Sequence, residues 1–176
     1  MRNPFTEKIA TGEQFCDREQ EWEELCRLMR GGHSAVLLSP RRYGKTSLAL
    51  ETLAAMREQG LLAAYVDVMP VSSQRELIER LARDVAQGFG AGMSVSQLAA
   101  KLGRLFAHVH LDFSLDAAGP HVSALLDTRT EAPQLLEEVL EQTCRYAERH
   151  KRGACIVLDE FQEITQLEDS RVIEAT

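Results

Sequence analysis

The sequence predicts an α/β fold on a mostly parallel sheet, and three observations carry that reading. An apolar run at Ala35–Leu38 leads through a short loop into Gly44-Lys45-Thr46-Ser47 and a helical pattern. A second apolar run, Ala154–Leu158, ends in the adjacent acids Asp159 and Glu160. Between them helical stripes alternate with short apolar segments, as strands and crossover helices do in parallel sheets. The chain has 176 residues, 44% of them hydrophobic, which is enough for one α/β core.

The N-terminal part, 1–32, opens with a turn-rich arm at Asn3-Pro4-Phe5. A helix follows with Asp17 expected at its N-cap and Gln20 in the capping-box position. Trp22, Leu25, Leu28 and Met29 share its apolar face, and Gly31-Gly32 end it. The next part, 33–106, holds the first strand, the loop and a helix to about Gln59, stopped by Gly60. A strand at Leu61–Val68 comes next, then a helix capped by Ser73 and Glu76 and another from Val95 to Phe106.

In 107–128, Val109, Leu111, Phe113 and Leu115 alternate with polar residues, and Ala117–Pro120 turn into a hairpin partner at His121–Leu126. His108 and His110 share one face of that strand, yet no third residue completes a metal-binding spacing. The final part, 129–176, is a long helix capped by Thr130, the acid-ended strand, and a helix start near Asp169.

The chemistry concentrates in two places. A strand–loop–helix unit aims loop N–H groups and the helix dipole at an anion, the arrangement that cradles phosphates. Ser39, Pro40, Arg41, Arg42, Tyr43 and Gly44 form the loop, and Lys45, Thr46 and Ser47 open the helix. Gly44 allows the tight turn, Lys45 is expected at the β- and γ-phosphates, and Thr46 at Mg²⁺. Ser39 stands where this motif has a glycine, so some strain is expected there. Asp159 is expected to help hold Mg²⁺, and Glu160 to orient or deprotonate an attacking water.

Taken together, the loop SPRRYGKTSL, the preceding FCDRE, the initial NPF and the late LDEFQ resemble the archaeal-type P-loop ATPases, relatives of AAA-like and STAND signalling NTPases. The resemblance implies a three-layer α/β/α P-loop NTPase with ATP and Mg²⁺ as cofactors. It also implies that Phe5 and Phe15–Glu19 border the adenine and that Arg41-Arg42 beside the phosphates are a family trait. In that superfamily a further strand, later in sequence, lies between the P-loop strand and the acid-ended strand. The sheet is therefore expected to be incomplete at the C-terminus, with three core strands and a gap. A partner protein or self-association through a missing C-terminal domain is expected.

Three functions follow as expectations. The first is Mg²⁺-dependent ATP binding and hydrolysis used as a conformational switch, with Lys45 and Glu160 as its catalytic residues. The second is a nucleotide-gated signalling module with little hydrolysis. The third is a DNA-loading AAA-type ATPase whose DNA-binding domain lies downstream. A formal net charge of −7 argues against nucleic-acid contact by this segment. Cys16, Cys26, Cys144 and Cys155 have no ligand spacing and are expected to be reduced thiols. The chain shows no signal peptide and no membrane-length apolar run, which points to a cytoplasmic protein.

Overall fold

Two apolar segments far apart in sequence pair in parallel at the centre of the molecule. They are β1 (Leu62–Asp67) and β4 (Ala154–Asp159), in register from Leu62 opposite Ala154 to Asp67 opposite Asp159. The computed structural model describes residues 18–40, 42–69 and 71–167. The result is an α/β architecture with a two-stranded parallel sheet and a separate antiparallel pair.

The two-residue side-chain period of a strand decides what each face meets. Ala63 and Tyr65 of β1, with Cys155 and Val157 of β4, pack with Cys26, Leu53 and Met56. Those three come from α1 (Glu19–Arg30) and α2 (Lys45–Glu58). Leu62, Ala64, Val66 and Ile156 turn the other way, into the larger core. That core is built by α3 (Gln74–Phe89), α4 (Val95–Leu102) and α5 (Ala132–Arg149), together with β2 (Val109–Asp116) and β3 (Gly119–Leu126). A Cβ on Gly88 of α3 would fall 2.5 Å from the Ala63 carbonyl oxygen, so glycine lets this helix lie against β1. The hairpin pairs antiparallel from Val109 opposite Leu126 to Asp116 opposite Gly119.

The expected first strand does not form. Ala35–Leu38 belong to no strand, and Val36 and Leu38 are 82% and 89% exposed. Of the three core strands expected, two are present among the described residues. The physical reason is the want of a partner among the described residues: an apolar segment becomes a strand when its N–H and C=O groups find a ladder.

Several helix ends also differ from expectation. The N-cap of α1 is Arg18, without a side-chain cap bond, and Asp17 lies outside the described residues. Helix α4 stops at Leu102, with Gly103 as its C-cap, short of Phe106. Glu131 and not Thr130 occupies the N-cap of α5, ahead of a proline in the first turn, where the missing N–H is harmless. Ser73 does cap α3, but the Glu76 carboxylate bonds Ser72 instead of reaching back to Ser73. The N-terminal arm and the helix start near Asp169 lie outside the described residues.

Candidate functional site

Helix α2 begins at Lys45, immediately after a turn that only a few residues can make. Gly44 has φ +71° and ψ +26°, the left-handed conformation glycine adopts without a Cβ penalty. Arg42 is also left-handed, with φ +67°, whereas Ser39 is not among the positive-φ residues. The strain expected at Ser39 therefore sits at Arg42, three residues on. Arg41 lies outside the described residues.

The Lys45 ammonium folds back over the loop, donating to the Ser39 carbonyl at 3.0 Å and reaching the Pro40 carbonyl at 3.4 Å. Arg18, at the start of α1, donates to the Tyr43 carbonyl at 2.6 Å and fastens the loop from the opposite side. Tyr43 is exposed, Thr46 and Ser47 occupy the first turn of α2, and that turn contains no acid.

Asp159 is aimed at this helix start by the strand period. Cys155 and Val157 face α1 and α2, so Asp159, two residues on, faces them too. Its Oδ2 accepts the Thr46 hydroxyl at 2.6 Å, closing a gap of 113 residues in sequence. The same oxygen accepts the Tyr65 hydroxyl at 2.7 Å, and Oδ1 accepts the Glu160 N–H at 2.9 Å. Burial, followed by the bond to Asp159 and the charges of Asp159 and Asp67, pushes the Tyr65 phenol well above its ordinary pKa. It remains a proton donor throughout the physiological range.

Asp67 stands opposite Asp159 at the end of β1, and its Oδ1 accepts the Met69 N–H at 3.0 Å. Glu160 is left-handed, with φ +54°, and its carboxylate accepts a hydrogen bond from the Gln162 amide. The structure thus brings together Thr46, Asp159 and the N-terminus of α2, with Lys45 turned onto its own loop.

Two participants escaped the sequence reading. Tyr65 lies in the strand expected at Leu61–Val68, and its signal is a phenol hydroxyl among the aliphatic residues that precede Asp67. Arg18 stood among the expected adenine-side residues, and its bond to the loop has no sequence signal.

Of the two histidines expected on one strand face, His110 lies in β2 and His108 immediately precedes it. His108 Nδ1 lies 2.6 Å from a Glu138 carboxylate oxygen, while His110 lies 3.2 Å from Asp112. Among the described residues no group of three or more His, Cys, Asp or Glu is disposed to hold a metal ion. Cys26, Cys144 and Cys155 are free thiols, and burial pushes Cys155 up to about 11, leaving it protonated and unreactive. Among the described residues no helix is long and apolar enough to cross a membrane.

Comparison with protein-family models, with curated proteins and with solved structures finds no match for this chain.

Proposed function

We propose that this chain is a P-loop domain of the three-layer α/β/α type that binds Mg·ATP and hydrolyses it as a conformational switch. One observation carries the reading: the Thr46 hydroxyl, in the first turn of α2, meets the Asp159 carboxylate at the end of a parallel strand, 2.6 Å apart. A hydroxyl at a helix start and a strand-end carboxylate are the protein's usual share of a magnesium–triphosphate site. ATP, in preference to another triphosphate, comes from the resemblance in the loop and the acid-ended strand.

The donor chemistry fits that cation. Mg²⁺ keeps several waters and takes one or two protein oxygens with substrate phosphates, so a hydroxyl and a carboxylate suffice. When bound, it would neutralise charge between the β- and γ-phosphates. The Thr46 hydroxyl has one proton, given to Asp159, and its lone pairs are left for a cation.

Lys45 supplies the phosphate-directed charge. Its ammonium donates to the neutral Ser39 and Pro40 carbonyls, which a phosphate oxygen outcompetes as an acceptor. The helix start adds its own positive potential, and no acid in the first turn opposes it. The left-handed Gly44 leaves room for close backbone approach. Glu160 follows Asp159 and serves to orient the attacking water.

The test is calorimetric titration with Mg·ATP of the wild type and Lys45→Ala. Losing a charge-assisted bond of roughly 1.5–3 kcal/mol is expected to weaken binding about 10- to 150-fold. Equal affinities would overturn the reading.

A second reading, a nucleotide-gated interaction module with slow turnover, is favoured by the contact between Glu160 and Gln162. A carboxylate occupied by a neighbouring amide is less available to a water. Gln162→Ala separates the two: faster phosphate release supports restraint of Glu160, whereas an unchanged rate supports the simple ATPase.

A further inference from the structure

We propose that Tyr65 is the positioning residue for Asp159, fixing that carboxylate for the Mg²⁺ of a bound nucleoside triphosphate; this rests on the function proposed above. The phenol sits on β1 opposite Val157, two positions short of Asp159 on the neighbouring strand. Such a diagonal neighbour is within reach of a long aromatic side chain. Here the reach ends in a 2.7 Å hydrogen bond to Asp159 Oδ2.

Packing does not require the hydroxyl. The Tyr65 ring lies with Ala63, Cys155, Leu53 and Met56, a setting that phenylalanine would satisfy as well. A phenolic O–H carried into that layer costs free energy unless it is bonded, and its bond is made to Asp159.

The consequence for Asp159 is geometric. Oδ2 accepts from Thr46 and Tyr65, while Oδ1 accepts from the Glu160 backbone. Three donors from three different places leave the carboxylate one orientation. Two of them belong to groups expected to act on the nucleotide or its water. Tyr65 belongs to the sheet, so it holds Asp159 whether or not the site is filled. Residues that orient a metal-holding carboxylate in this way contribute about 10- to 100-fold to metal affinity.

The experiment measures ATP affinity of the intact chain by calorimetry, once with Mg²⁺ and once with EDTA. Wild type, Tyr65→Phe, Asp159→Asn and the double variant are compared, with thermal melting as a check on folding. Tyr65→Phe is expected to reduce the Mg²⁺-dependent gain in affinity about 10-fold and leave the EDTA value unchanged. The double variant is expected to lose no more than Asp159→Asn alone, because both act on one carboxylate.

Replacing Tyr65 with 4-aminophenylalanine keeps a donor at the same ring position and is expected to restore the gain. An unchanged Mg²⁺ dependence in Tyr65→Phe, additive losses in the double variant, or no rescue by the amino analogue would each overturn the proposal. If wild-type binding depends on Lys45 while Tyr65→Phe behaves as wild type, this proposal alone fails. If wild type and Lys45→Ala bind ATP alike, the site reading fails and takes this proposal with it.

Discussion

Ala154–Asp159 and Ala35–Leu38 are two apolar runs of similar character with opposite fates. The first is paired along its length with β1, and its inward side chains enter two cores. The second belongs to no strand, with Val36 and Leu38 almost fully exposed. Sequence character is shared; a hydrogen-bonding partner is not. Apolar composition makes a segment eligible for a sheet, and an adjacent strand with free N–H and C=O groups decides whether it joins one.

The contrast extends to chemistry. The paired run presents Asp159 on a fixed face, held by three hydrogen bonds. The unpaired run leads into the loop whose Lys45 rests on the loop's own carbonyls. On the proposed function, the sheet end sets the chemistry while the loop sets affinity. The largest expected effect tests that division. Glu160→Gln keeps the shape but cannot take a proton, so phosphate release is expected to fall about 10²- to 10⁴-fold with ATP affinity retained. A turnover rate equal to wild type would move the water-orienting role to another residue.

The next effect concerns packing on either side of the contrast. Leu53, fully buried between α2 and the sheet, is expected to cost about 2–5 kcal/mol on truncation to alanine. Leu38→Ala, at 89% exposure, is expected to stay within about 0.5 kcal/mol. Denaturant melts of the two variants compare them directly. Comparable losses would mean that residues 35–38 are covered in solution, as the strand neighbour implied by the family resemblance would cover them.

Much of the fold was legible because periodicity reports which face is buried. Leu77, Ile78, Leu81 and Val85 recur at helical spacing and are buried in α3, and alternation from Val109 to Phe113 marks the hairpin. The hairpin's last residues broke the pattern: Leu115 is exposed near the turn, beyond the helices that cover the rest. The cap of α5 was misread because Thr130 is the better N-cap residue, while Pro133 fixes the helix start nearer to itself. In the site, Thr46 and Asp159 could be named from residue types beside apolar runs. Tyr65 could not, because its role depends on the register of β1 against β4, and register between distant strands leaves no local trace.

The smallest expected effect lies far from the loop, where the hairpin meets α5. Glu138 accepts the Ala107 N–H, the His108 N–H at 3.0 Å and a 2.6 Å contact from His108 Nδ1. Burial alone would raise its pKa, but the backbone and ring donors of His108 and the Ala107 N–H outweigh it and hold the carboxyl below the ordinary range. A carboxylate depressed in the folded state contributes stability that is fully present above its unfolded pKa, about 4.3 for glutamate. That contribution is lost as pH falls from there through the folded value. Glu138→Gln removes the charge but keeps an acceptor, so the variant is expected to be less stable at pH 7 and to lose less on acidification. Melting curves of both proteins between neutral pH and about pH 3 check this, spanning the unfolded value. Parallel acid limbs would show that this clasp contributes nothing to the pH dependence. The hairpin would then be held on α3 and α4 by its apolar face and by the Gln87 amide bonded to the Pro120 carbonyl.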